Sequence, residues 1–239
     1  MGEVPKYLMN FFRYHIFISD KDMDYTKIYI NLDRCPERRK NFDDTWERFE
    51  ATDGMDLEGH PILDRMCSYW NISKKEHLCK CGCFLSHYRV LESIVGRRLN
   101  HVIVCEDDVI PMNELPAPQE LGPYFCYLGG YFSHLKMTDG HLKNVDEFPT
   151  SKQGLNEIDR SQFRMMMLCA YYLPSWRIAE QLLAYIDSKV RVRQFDVMMH
   201  FYPFPVSYYY PAIYVEGDFQ TTIHSKSRRK HPNIHYALV

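Results

Sequence analysis

The chain has 239 residues, enough to bury a full core in one large domain, and 46% hydrophobic with 25% charged residues is ordinary for a soluble globular protein. A formal net charge of −2 excludes electrostatic capture of nucleic acid as the main activity, and no nucleic-acid motif is present. With 18 Tyr and 14 Phe the chain is rich in aromatics, which suits a sugar site but equally a large core.

The apolar stretch from Tyr7 to Ile18 is broken by Arg13 and His15, and no small-residue cleavage site follows. It is too short for a bilayer, which needs about 20 apolar residues, so a protein without a transmembrane segment, kept in the cytoplasm, is expected. Eight scattered cysteines fit reduced thiols in that compartment. Residues 1–26 show no clear period and are read as an N-terminal arm.

Lys27 to Asp33, KIYINLD, alternates like a strand, and Arg34-Cys-Pro-Glu-Arg-Arg39 then opens a helix with Pro36 in its first turn. Phe42, Trp46 and Phe49 give that helix its expected buried face. The arginines at this junction are placed for the phosphates or base of a nucleotide, although Arg38 or Arg39 could equally face water. Phe49 to Gly54 reads as a short strand entering a turn, with Asp53 either a cleft carboxylate or a turn cap.

Ser73 and Glu76 form a capping box for a helix of about Lys74 to Val95, ending near Gly96. Cys79, Cys83, Ser86, His87 and Ile94 share one stripe of it. Ser86 and His87 are then polar groups on a mostly buried face, which calls for specific hydrogen bonds. Cys79, Cys81 and Cys83 invite a zinc reading, but C-x-C-x-C lacks the paired knuckles of structural zinc sites, and buried thiols are the favoured explanation.

Val102, Ile103 and Val104 form a buried strand that stops at Glu106, Asp107 and Asp108. Three adjacent acids there repel one another unless something positive sits among them, and a divalent cation on a phosphorylated ligand is the simplest candidate. A solvated acidic turn is the alternative.

Pro-rich loop follows, then a strand over Phe125 to Leu128 ending at Gly129 and Gly130, where backbone can approach a ligand. Residues 132–163 are weakly patterned and read as a mobile lid or an acceptor-facing insertion. Leu168 to Leu173 is a strand, and Ser175 caps the next helix, which buries Trp176, Ala179, Leu182, Leu183 and Ile186. Asp196, between apolar residues, is a candidate for a raised pKa and proton transfer, or a helix cap. Val206 to Val215 is strand-rich, His224 is placed where a late loop could return to a metal, and 226–239 is a basic tail. Strands alternating with helices over 27–225 predict one α/β domain with a mostly parallel central sheet flanked by helices.

In order and spacing, KIYINLDRCPERR, FEATDG, GCFLSHYRVLESI, VIVCEDDVIP and CAYYLPSWRIAEQLL with Asp196 following resemble glycosyltransferase family 25. That family includes lipooligosaccharide galactosyltransferases and collagen hydroxylysine galactosyltransferases. The resemblance implies a GT-A-like fold, manganese or magnesium, and a UDP-sugar donor, most often UDP-galactose. It makes Asp108 the first metal ligand and Glu106 the partner of the nucleotide ribose or of a metal-bound water, with His224, by its place in the sequence, the further candidate ligand. Asn31, Leu32, Arg34 and Arg38, with Asp53, Gly54, Ser86, His87 and Glu106, fall on the nucleotide side of the cleft, and Asp196, with Asp107, is the expected catalytic acid–base group. The arm before Lys27 and the Cys79 and Cys81 pair depart from the family pattern, as does Thr221-Thr222-Ile223.

The expected activity is therefore inverting transfer to a hydroxyl of a glycan, a lipid-linked sugar or hydroxylysine, with oligomeric state left open to a homodimer. A catalytically silent relative serving as a binding or adhesion module is the rival reading. Phosphoryl or nucleotidyl transfer is a third, but no Walker-type loop is present.

Overall fold

The computed structural model describes residues 24–67, 72–134, 137–138, 141–142, 152–160 and 163–217. Most of the expected arm, much of the 132–163 insertion, His224 and the basic tail lie outside the described residues. In chain order the strands are β1 (Thr26–Asn31), β2 (Trp46–Glu50), β3 (Asn100–Glu106), β4 (Val109–Pro111), β5 (Phe125–His134), β6 (Met137–Thr138), β7 (His141–Leu142), β8 (Gly154–Glu157), β9 (Phe163–Ser175), β10 (Val206–Tyr210) and β11 (Tyr214–Glu216). The α-helices are α1 (Ile62–Arg65), α2 (Lys74–Arg97), α3 (Trp176–Asp187) and α4 (Phe195–His200).

Seven strands form one sheet in the order β2-β1-β3-β9-β5-β10-β8. β1 is parallel to both β2 and β3, and β5 to β10, while β9 runs against β3 and β5 and β8 against β10. The sheet is thus mostly parallel and flanked by helices, consistent with the GT-A-like fold that the sequence motifs imply. Its core strand is buried on both faces: Val102 and Val104 belong to one apolar cluster with Leu91, Ile94 and Leu182, and Ile103 and Cys105 to a second with Leu128 and Tyr214. That double burial is why β3 reads as an unbroken apolar run and not as an alternation. No described helix is long and apolar enough to cross a membrane.

Three local expectations are corrected. The segment from Pro36 is a 3-10 helix ending at Asn41, and Trp46 to Glu50 is a strand parallel to β1, so Phe42, Trp46 and Phe49 do not share a helix. Phe42 instead stacks on Tyr29 at 4.1 Å, and Trp46 packs edge-on to Phe42. Helix α2 does start at the Ser73 cap, whose side chain accepts from the Glu76 N–H, but it runs past Gly96 and ends on a left-handed Arg98 (φ 54). Third, Ser175 precedes α3 without making a side-chain cap.

Gly129 does not present backbone to a ligand. A Cβ there would stand 2.6 Å from the carbonyl oxygen of Tyr214 and 2.7 Å from Cys169 Sγ, so the residue admits β11 and β9 against β5. The weakly patterned insertion also contributes β8, an edge strand whose Leu155 and Asn156 pair with Tyr209 and Tyr208 of β10.

Candidate functional site

The register of the three parallel strands sets the site. Ile30 pairs with Glu106 across β1 and β3, and Asn31 with Glu50 across β1 and β2, so all three strands end at one edge of the sheet. The segments that follow must meet beyond that edge, where ligands of α/β sheets bind. There they line an open cleft: Leu32, Arg34 and Arg38 after β1, Ala51, Thr52 and Gly54 after β2, and Glu106, Asp107 and Asp108 at the end of β3. Helix α2 closes it with Cys79, Cys83, Ser86 and His87.

The wall after β1 is held by charge. Arg38 is 6% exposed, and its Nη1 donates to Asp107 Oδ1 at 2.6 Å and lies 3.8 Å from Asp108 Oδ2. Asn31, fully buried, donates to the second Asp107 oxygen at 2.7 Å and to the Cys35 carbonyl at 3.0 Å, while its own oxygen accepts from Arg39 and Arg48. Burial works against the charge on Arg38, but the bond to Asp107 and the charges of Asp107 and Asp108 outweigh it and raise its pKa. Burial pushes the Asp107 carboxyl up, and Arg38 and Asn31 return only part of that shift. At the mouth, Arg34 pairs with Asp53, which also caps the turn at Gly54 through the Met55 N–H.

The α2 wall is held by close contact and neutral groups. A Cβ on Gly54 would meet the Leu78 carbonyl at 2.2 Å, and one on Gly82 would meet the Gly54 nitrogen at 2.6 Å, so the two glycines let the segment after β2 lie directly on the helix. Ser86 pins it there: its hydroxyl donates to the Gly82 carbonyl at 2.7 Å and accepts from the Thr52 N–H at 2.8 Å. His87 stacks on Phe195 and places Nδ1 3.2 Å from the Tyr171 hydroxyl and Nε2 3.3 Å from Glu106 Oε1. Cys83, one turn earlier, donates to the same Glu106 oxygen at 3.6 Å. Burial raises the Cys83 thiol well above its ordinary value, and the Glu106 charge adds to that.

The profile of glycosyltransferase family 25 (LPS biosynthesis protein) matches residues 25–199, most of the chain and all of the cleft. The chain belongs to glycosyltransferase family 25. It is 37% identical over 101 residues to a glycosyltransferase 25 family member of Aedes aegypti, covering 36% of this chain and 17% of that protein. The Drosophila melanogaster member is 29% identical over 124 residues, covering 46% of this chain and 20% of that protein. A mouse relative named inactive glycosyltransferase 25 family member 3 is 35% identical over 101 residues, 36% of this chain and 17% of that protein. The matched stretches therefore span a fifth or less of these relatives' own length.

Within this family 25 fold, Leu32, Arg34, Arg38, Gly54, Ser86, His87, Glu106, Asp107 and Asp108 line the cleft, Asn31 stands behind it bonded to Asp107, and Asp53 sits beside Arg34 at its mouth. Asp107 is not placed for proton transfer, since each of its oxygens is engaged by Arg38 or Asn31. Asp196 is absent from the lining; in the first turn of α4 its carboxylate accepts from the Met167 and Val197 N–H groups. His224 lies outside the described residues. Thr52 and Cys83 are cleft residues that sequence reasoning did not assign. The signal for Cys83 was its place four residues before His87 on one helical face.

Oxygen donors for manganese or magnesium reduce to two of the three acids, Glu106 and Asp108, because Asp107 is committed. Arg38 also supplies, from within the chain, part of the positive charge that this strand end needs. The zinc reading of Cys79, Cys81 and Cys83 fails on helical geometry. Alternate residues on a helix turn by about 200°, so fully buried Cys81 faces His77 in the interior and Cys79 and Cys83 face the cleft.

Proposed function

We propose that this family 25 chain transfers a sugar from a UDP-sugar, galactose first among the donors, to a hydroxyl of a glycan, a lipid-linked sugar or a hydroxylysine-type acceptor, with inversion. The observation that carries the reading is the convergence of three parallel strand ends on a cleft that presents Arg34 and two acids at its mouth. Arg34, with a side chain 41% exposed, can turn from Asp53 to a diphosphate oxygen.

Glu106 and Asp108 would hold a divalent cation, whose chemistry is to neutralise charge on the departing diphosphate. Inversion requires a carboxylate beside the acceptor hydroxyl. Asp196, close enough for its charge to act on the Cys83 thiol, fills that role by releasing one of its two backbone N–H bonds.

Asp108→Ala is the test: loss of sugar transfer and of metal-dependent UDP binding by calorimetry, with an unchanged circular dichroism spectrum, is expected. Full transfer by this variant refutes the assignment. A second reading, a silent relative retained as a binding module, is favoured by the mouse protein's name, which calls that protein inactive. Failure of the pure chain to bind UDP in the presence of manganese would decide for it.

A further inference from the structure

We propose that Cys83, His87 and Glu106 form a zinc-class metal site, distinct in donor chemistry from an oxygen cage at the acids, with its open position facing the cleft. Among the described residues, one ligand atom from each of these three lies within 4.8 Å of the others. The two separations to Glu106 match a tetrahedral ion. Zinc bonds of about 2.3 Å to sulfur and about 2.0–2.1 Å to nitrogen or oxygen place sulfur about 3.5 Å from oxygen, and nitrogen about 3.3 Å from oxygen. Here Cys83 Sγ is 3.6 Å from Glu106 Oε1, and His87 Nε2 is 3.3 Å from the same oxygen.

Two features outside the triad suit this use. The Tyr171 hydroxyl, fully buried and 3.2 Å from His87 Nδ1, can accept from Nδ1–H and so turn the Nε2 lone pair toward the ion, the usual support of a metal-bound imidazole. Without metal the other tautomer serves, with Nε2–H donating to Glu106. Cys83 and His87 are also set by one rigid helix at the i, i+4 spacing, and Glu106 by the central strand, so the three need no loop to close on them. All three line the cleft, which leaves a fourth position for water or a ligand oxygen.

A thiolate, an imidazole and one carboxylate select zinc or cobalt over manganese or magnesium. Binding displaces the Cys83 thiol proton, while the imidazole proton of His87 only moves from Nε2 to Nδ1, so the site loads with release of one proton. It also takes Glu106 from any oxygen-liganded cation held with Asp108. The metal site stands on this geometry and not on the UDP-sugar reading.

The probe is Co²⁺ added to the full chain after chelator treatment, followed by absorption spectroscopy. The expected result is one cobalt per chain, strong visible bands of tetrahedral cobalt, a near-ultraviolet thiolate-to-cobalt band, and displacement by zinc. Cys83→Ser should abolish the thiolate band, whereas Cys79→Ser and Cys81→Ser should retain it. Wild-type spectra of octahedral cobalt without a thiolate band, or a band surviving Cys83→Ser, would overturn the site. Should Cys83→Ser fail to fold, His87→Gln carries the test: affinity for cobalt falls by about tenfold or more, and unchanged affinity overturns the proposal. The metal alone is read, so the result is independent of nucleotide binding.

Discussion

The two walls of the cleft solve one problem, holding a polar surface rigid beside a buried sheet, by opposite means. After β1 the structure is tied by an arginine that is almost fully buried between carboxylates, with Asn31 bonded to backbone, to Asp107 and to two further arginines. Along α2 the Lys74–Glu58 pair to the segment after β2 is exposed, and at the closest point two glycines let backbone touch backbone while the Ser86 hydroxyl and Arg89, which donates to the Thr52 hydroxyl, stitch the contact. Glu106 and Asp107 stand on either side of this divide. Consecutive in sequence, Asp107 is neutralised by Arg38 while Glu106 faces a thiol and an imidazole. A run of three acids is therefore not one electrostatic unit: each carboxylate takes its role from the wall it faces.

The charged wall should be the more costly to break. Arg38→Met keeps much of the volume but leaves Asp107 buried and unpaired, and removing one partner of such a pair costs about 3–5 kcal/mol. Urea unfolding should show that loss, with part of it recovered in Arg38→Met combined with Asp107→Asn, which removes the stranded charge. Equal stability of the single and double variants would mean that Arg38 acts by packing alone.

This contrast also marks what could be read before the fold was known. Helix α2, its Ser73 cap and the buried β3 were legible because periodicity and capping are local properties. Ser86 and His87 were legible as polar groups on an apolar stripe, which must find partners. The helix placed over Phe42, Trp46 and Phe49 was not there, because spacing of three and four residues between aromatics also fits a turn followed by a strand, and pairing of β2 with β1 decided between them. Nor could the sequence show that the cation among the acids is Arg38, since that contact joins residues 69 apart and depends on β1 and β3 lying side by side. For Asp196 the apolar neighbours alone do not decide between a proton-transfer group and a helix cap, because the first turn of a short helix and a buried catalytic acid have the same neighbours in sequence.

The thiols of α2 sharpen the comparison on its neutral side. Cys81 is fully buried, and burial alone raises its pKa to about 11 from an ordinary 9.0. The folded state therefore favours the protonated thiol. That contribution is whole below about pH 9 and is lost as pH rises through about 11, by roughly 2–3 kcal/mol in all. Comparing wild type with Cys81→Ala between pH 7 and pH 11 isolates it: the wild type should lose more stability than the variant above about pH 9. Parallel curves would show that Cys81 ionises as easily folded as unfolded.

The smallest effect expected lies in the stitch itself. In Ser86→Ala the Gly82 carbonyl keeps its place in the helix, but the Thr52 N–H loses its acceptor at a part-buried position. An unsatisfied donor of this kind costs about 1–3 kcal/mol when buried, and partial access to water brings the expected loss to about 1 kcal/mol. The glycine contact, which does not need the hydroxyl, should keep the segment after β2 on the helix, so hydrogen exchange should quicken at Thr52 while the neighbouring amides of α2 stay protected. Exchange rising along the whole of the Ala51 to Asp56 segment would show instead that the serine, and not the glycine pair, holds this wall. The bond that Arg89 gives the Thr52 hydroxyl would then be too weak to hold the segment without the serine.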